Sequence, residues 1–160
     1  MELLVQERFA EALESFHALS QETRQDADAQ LLHAVLLTNA GQLDKAEGIC
    51  GEILENDEMN AGAHYLMALC REHRGDRPSA SEHDQAATYL DSGFAMPHFH
   101  LGLMARRSGD LDTARRELAT ALPMLLCEDA SRILLFGGGF NRDALVALCR
   151  AELHAAGGSA

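Results

Sequence analysis

Gly41, Gly75 and Gly109 stand 34 residues apart. So do Ala12, Ala46, Ala80 and Ala114, and so do the small residues Ala34, Ala68 and Gly102. A fixed period of this length marks an array of helical hairpins. A single hairpin cannot bury its apolar face alone, so hairpins stack, and a stack presents a groove able to hold another molecule.

The repeat divides each full unit into a helix A and a helix B. The first pair is Ala27–Ala40 and Leu43–Glu55, the second Ala61–Arg74 and Pro78–Leu90, the third Met96–Ser108 and Leu111–Leu122. The three periodic glycines end each helix A, where a left-handed residue is needed and a side chain is costly. Asp76 and Asp110 follow as capping residues, and Pro78 falls in a first helical turn, where a missing N–H costs little. Asp57 and Asp91 close the helices B. Ala34, Ala68 and Gly102 on helices A, with Ala46, Ala80 and Ala114 on helices B, mark the crossing within each pair. Ile53, Ala87 and Ala121 are expected to face the following repeat.

The middle repeat breaks the pattern. Arg71 stands where its neighbours have Leu37 and Ala105, and Asp84 where they have Cys50 and Leu118. A buried charge without a partner is expensive. The two are therefore expected to approach each other or both to escape to an edge; simple snorkelling of the Arg71 stem is the alternative.

Three segments result. Residues 1–26 form a partial first repeat, mainly a helix B carrying Phe9, Ala12, Phe16 and Leu19. Residues 27–126 hold three repeats, and residues 127–160 a connecting segment, a Gly-rich turn and a capping helix. A helix A ahead of Phe9 would need more residues than Met1–Gln6 supply, so a larger protein is expected upstream of Met1. Pro123 is expected to interrupt or bend the last helix B. After the apolar stretch Ser131–Phe136 and the run Gly137–Gly139, Asn141 caps a helix over Arg142–Ala155, ended by Gly157 and Gly158. Its stripe of Leu145, Leu148, Cys149 and Leu153 should cover the last repeat.

Apolar residues make up 47% of 160 residues, enough for a core, and Leu and Ala prevail over aromatics, which favours helices. The expected fold class is all-α, a helical solenoid with a C-terminal capping helix. A net charge of −12 argues against a general binder of nucleic acid or anionic membranes. Residues 1–60 carry 13 acids and 3 bases, residues 61–160 carry 12 acids and 10 bases, so the acidity is concentrated in the first part. Cys50, Cys70, Cys127 and Cys149 show no paired spacing and read as free, buried thiols in a reducing cytosol. No signal peptide or apolar run long enough to cross a bilayer is visible, and a cytoplasmic location is expected.

Motifs of chemistry are sparse. Gly137–Gly139 lacks the Lys and Ser/Thr of a phosphate loop and reads as a tight reversal. His98 and His100 are two apart on a helix and splay, while His64 and His98 are repeat equivalents, so no metal site is expected. No nucleophile–base constellation is legible, and no catalytic residue is assigned.

The expected site is the concave side lined by helices A. Leu31, Tyr65 and Phe99 form one row and Val35, Leu69 and Leu103 the next. Thr38, Glu72 and Arg106 with Asn39, His73 and Arg107 make a polar border. An apolar floor ending in an Arg pair suits an amphipathic helix or an extended peptide with an acidic group. The alternative is that these apolar residues touch the terminal helix or an upstream helix.

The repeat resembles tetratricopeptide domains across about Glu7–Leu122. The stretches HYLMALCREHRGD and FAMPHFHLGLMARRSGD, and above all SRILLFGGGFNRDALVALCRAEL at 131–153, resemble the C-terminal end of chemotaxis-receptor (CheR-type) methyltransferases that carry a tetratricopeptide extension. The likeness is strongest to those of Wsp-type surface-sensing systems, which govern biofilm formation. This resemblance implies a parent enzyme that uses S-adenosylmethionine to methylate glutamates on a chemoreceptor-like protein. The catalytic domain and its cofactor fingerprint are not within these residues, so neither catalytic residues nor a cofactor are assigned to them. The implied role is docking, to a chemoreceptor-like protein or another signalling component. A free-standing adaptor or chaperone is the alternative, and self-association into a homo-oligomer is a third.

Overall fold

The computed structural model describes residues 2–158, with side chains from residue 8 onward. Met1, whose status as a start or an internal boundary bears on the truncated first repeat, lies outside the described residues. Among those residues there are ten helices and no strand: α1 (Glu2–His17), α2 (Gln21–Arg24), α3 (Ala27–Asn39), α4 (Leu43–Asn56), α5 (Ala61–His73), α6 (Arg77–Leu90), α7 (Ala95–Ser108), α8 (Leu111–Cys127), α9 (Ala130–Phe136) and α10 (Arg142–Ala155). No helix among the described residues is long and apolar enough to cross a membrane.

The punctuation of the hairpins is repeated with the sequence. Gly41, Gly75 and Gly109 adopt φ of 74°, 82° and 83°, a region costly for a residue with a Cβ. Beyond each glycine the same hydrogen bond recurs, from Gln42, Asp76 and Asp110 N–H to the carbonyls of Leu37, Arg71 and Ala105. It satisfies a carbonyl that the helix end would leave bare. At the next helix, Asp76 accepts from Ser79 N–H and Asp110 from Thr113 N–H, the expected caps. Asp26, Asn60 and Asn141 do the same for α3, α5 and α10.

The chain divides into two compact units, Met1–His83 and Asp84–Ala160, with the boundary inside α6. In the first unit α1 packs on α3, α4 on both α3 and α5, and α3 beside α5. Leu13 and Phe16 of α1 join Leu36, Leu37, Ala46 and Cys70 in one buried cluster, so α1 fills the place of a helix B, as its register predicts. In the second unit α8 packs along α7, and α10 lies on α8 and touches α7. That covering role was expected for the terminal helix. Its buried stripe, however, is Leu145, Val146, Cys149 and Leu153. Leu148 stands at the edge of the stripe and is exposed.

Three local expectations are corrected. Pro123 does not end α8, which runs on to Cys127. Pro123 and Ala119 are both exposed, so the carbonyl of Ala119, which loses its helical N–H partner, faces solvent. This longer helix carries Cys127 to the surface, while Cys50, Cys70 and Cys149 are buried. The stretch Ser131–Phe136 is not a mere connection but belongs to α9. There Phe136 packs on Phe94 at 5.0 Å between ring centroids, and Arg132 lies over the Phe94 ring while bonding Asp91 at 2.6 Å.

Candidate partner-binding surfaces

In the first unit, α3 and α5 lie side by side and carry the expected rows. Val35 and Tyr65 are buried, at 3% exposure each, while Leu31 and Leu69 are half-buried. Asn39 and Glu72 are half-buried and His73 is exposed. Thr38 turns its hydroxyl back to the Ala34 carbonyl at 2.8 Å. In the second unit Phe99 is buried, Leu103 half-buried and Arg107 exposed. Val35 and Tyr65 of the first unit and Phe99 of the second, expected as the floor of an open groove, are therefore core residues of their own units. What remains accessible of the expected lining is Leu31 and Leu69 in the first unit and Leu103 in the second, each with its own polar border. Arg106 is not a free cation either: its Nε donates to Glu152 of α10. The terminal helix thus occupies the guanidinium that was expected to receive an acidic group.

The irregular charges of the middle repeat each meet a polar partner inside their own unit. Arg71 reaches Glu47 of α4 at 3.0 Å. Arg74, one turn further on, bonds Glu47 at 3.0 Å and Asp44 at 2.5 Å. Asp84 does not escape to an edge. It is fully buried, with a carboxylate oxygen 2.6 Å from His100 Nδ1. The equivalent of His100 one repeat earlier is Leu66, and that of Asp84 is Cys50. The polar pair has replaced an apolar one between a helix B and the helix A that follows. The paired departure from the repeat was visible in the sequence at Asp84, and His100 was its unread other half.

Adjacent residues of α6 therefore look opposite ways. His83 turns back to α5, its Nδ1 2.9 Å from that of His64, while Asp84 turns forward to α7. One repeat later the His64–His83 contact recurs as His98–Glu117, at 2.8 Å. The equivalence of His64 and His98 is thus one of position and of contact. Among the described residues no group of three or more His, Cys, Asp or Glu is placed to hold a metal ion.

Two surface pockets were not foreseen. One, of about 390 Å³, lies between α4 and α5 and is floored by Gly48, Gly51 and Met67, with Glu47, Arg71 and Arg74 along one side. The other, of about 310 Å³, lies between α9 and the start of α10, where Leu134 and Phe140 are largely exposed. Arg142 at its edge is committed, donating to the carbonyls of Leu125 and Glu128. Neither pocket has a periodic signature, because each arises where the repeat is broken by glycines or by the tail.

Burial holds three thiols protonated. Cys50 is pushed up to about 12 by burial, then by Cys70 and Glu47, Cys70 to about 11 by burial and Glu47, and Cys149 to about 11 by burial. None is a nucleophile at neutral pH.

Residues 3–70 match the tetratricopeptide repeat. Over 100 residues, 62% of this chain, the sequence is 29% identical to the probable biofilm formation methyltransferase WspC of Pseudomonas putida. That stretch is 24% of the relative, so the chain spans about a quarter of the length of the curated protein it matches. Among solved structures, PcrH from Pseudomonas aeruginosa has a TM-score of 0.68 at 21% identity, covering 88% of this chain and 96% of that one. PcrH in complex with the chaperone binding region of PopD has the same TM-score at 22% identity, covering 88% and 95%. MamA has a TM-score of 0.61 at 16% identity, covering 92% and 86%. Residues 3–70 thus carry the tetratricopeptide repeat, and the chain shares the all-helical fold of these solved structures.

Proposed function

We propose that this chain is the protein-docking domain of an S-adenosylmethionine-dependent glutamate methyltransferase that modifies a chemoreceptor-like protein in a surface-sensing pathway. The observation that carries the reading is the likeness to WspC over 100 residues, joined to the family resemblance of residues 131–153. The chain supplies recognition, and methyl transfer belongs to a separate catalytic domain. Docking would raise the effective concentration of that domain near its substrate without adding any contact at the reacting atoms.

The accessible part of the expected surface is small. The first unit offers the half-buried Leu31 and Leu69 and the exposed His73, and the second the half-buried Leu103 and the exposed Arg107. Residues 1–83 hold 16 acids against 6 bases, and residues 84–160 hold 9 against 7. An acidic receptor segment is therefore favoured at Arg107 and its neighbours rather than on the first unit.

A second reading, a free-standing adaptor or chaperone, is favoured by the PcrH likeness, since one PcrH structure holds the chaperone binding region of PopD. The coding sequence upstream of Met1 separates the two: a continuous methyltransferase domain supports docking, and a stop codon followed by a native start supports the adaptor. For the surface itself, binding of the domain to the cytoplasmic segment of its chemoreceptor is the test. Arg107→Glu with Leu103→Asp should weaken it by about tenfold or more, the scale of a lost interface anchor. Unchanged affinity at low salt would remove this surface from the reading.

A further inference from the structure

The His64–His83 contact has a proton inventory that its neighbour lacks. His64 Nε2 lies 2.9 Å from the Glu58 carbonyl, which only accepts, so Nε2 carries a hydrogen. In the neutral ring Nδ1 is then the acceptor, and His83 Nδ1, at 2.9 Å, must be the donor. His64 is fixed as the Nε2–H tautomer and His83 as the Nδ1–H tautomer. One added proton fits, on His83 Nε2. A second does not, because both Nδ1 atoms would then carry hydrogens pointed at each other across 2.9 Å. In the following hairpin Glu117 stands where His83 stood, and His98 meets it at 2.8 Å. There a proton on the imidazole turns a hydrogen bond into an ion pair.

We propose that the His64–His83 contact is an acid-sensitive latch between α5 and α6, closed while the two rings share at most one proton and opened by the second, a limit that the equivalent His98–Glu117 contact does not have. The charged groups around His83 are His64 and Arg71 of α5, Glu47 of α4 and Glu82 of its own helix. Burial is the main force pushing His83 below its ordinary 6.5, then His64 and Arg71, and the two glutamates offset this only in part. An unfolded chain therefore takes up a proton at His83 more readily than the folded hairpin does, and folded stability falls as pH falls from about 6.5. The sign is the same at Glu117, but the window lies lower. Its carboxyl is held below 4.5 chiefly by the His98 hydrogen bond, so that contribution persists through mild acid and is lost only as pH drops through the depressed range.

The test compares the protein with its His83→Glu variant, which copies the residue at 117. Amide hydrogen exchange, corrected for the intrinsic rate, is followed by mass spectrometry from pH 7.5 to 5.5. Protection of α5 and α6 should fall by up to about tenfold per pH unit for each proton the fold excludes, and protection of α7 and α8 should fall less. In His83→Glu the α5–α6 loss should vanish, even though His33, which burial also pushes below 6.5, is still present. Equal losses in both proteins would overturn the latch. Nitrogen-15 NMR of the imidazoles gives an answer independent of the variant's folding. The unsubstituted protein at pH 7.5 should show His83 as Nδ1–H and His64 as Nε2–H, and an Nε2–H His83 would overturn the proposal by itself.

Discussion

A Cβ placed on Gly102 would lie 2.6 Å from Cγ of Leu118 and 3.3 Å from its backbone nitrogen. At this crossing α7 and α8 come closer than any side chain allows. The equivalent crossings carry Ala34 with Ala46 and Ala68 with Ala80, all fully buried, and the third hairpin has gone one step further.

Gly102→Ala should therefore destabilise the protein by about 1–3 kcal/mol, as overpacked sites do, although alanine is the better helix former. Chemical denaturation at fixed pH measures it. A neutral or stabilising result would show that the two helices separate freely.

Gly48 and Gly51 of α4 make the opposite case. A Cβ at either position meets nothing within 4 Å, so internal packing does not require these glycines. Gly48→Ala and Gly51→Ala should each raise stability by about 0.5–1 kcal/mol through helix propensity alone. The same denaturation series provides the comparison with Gly102→Ala, and a loss at both sites would contradict the open surface seen over α4.

At the Asp84–His100 pair, His100→Leu alone leaves a fully buried carboxylate without its imidazole. The expected cost is about 3–5 kcal/mol, that of a broken buried pair. Adding Asp84→Leu should recover most of it, because the preceding repeat packs Cys50 and Leu66 at these positions. A double-mutant cycle reads the coupling, and additive losses would show that the two side chains do not act as a unit.

Thiol chemistry gives a fast check on burial. In the native state at pH 7.5 an alkylating reagent should modify Cys127 and spare Cys50, Cys70 and Cys149, which are buried and held protonated. Peptide mapping before and after denaturation counts them. Rapid labelling of Cys149 would mean that α10 lifts from α8.

The hairpins were legible in the sequence because glycines and alanines report on the backbone itself. A left-handed turn needs the first and a close crossing the second, whatever surrounds them. Helix limits followed within a residue or two except at α8, where an exposed proline proved compatible with helix. The partners of Arg71 and Asp84 were not legible. Each helix faces two neighbours, and the period does not say whether a side chain points backward to Glu47 or forward to His100. The expected site suffered from the same ambiguity. Helical spacing placed Val35, Tyr65 and Phe99 on one face, but their depth in the wall depends on how closely neighbouring helices pack. The tie between Arg106 and Glu152 needed the path of the tail, which has no repeat to fix it.

The terminal helix also changes what the last hairpin presents to its surroundings. The outward side of α10 shows Asp143, Ala144, Arg150, Ala151 and His154, with Leu148 as its one large apolar residue. An incoming hairpin would find charge and short side chains there instead of the oily seam that joins its predecessors. The seam that periodicity alone would have left bare on the last hairpin is thereby exchanged for a face that water can wet.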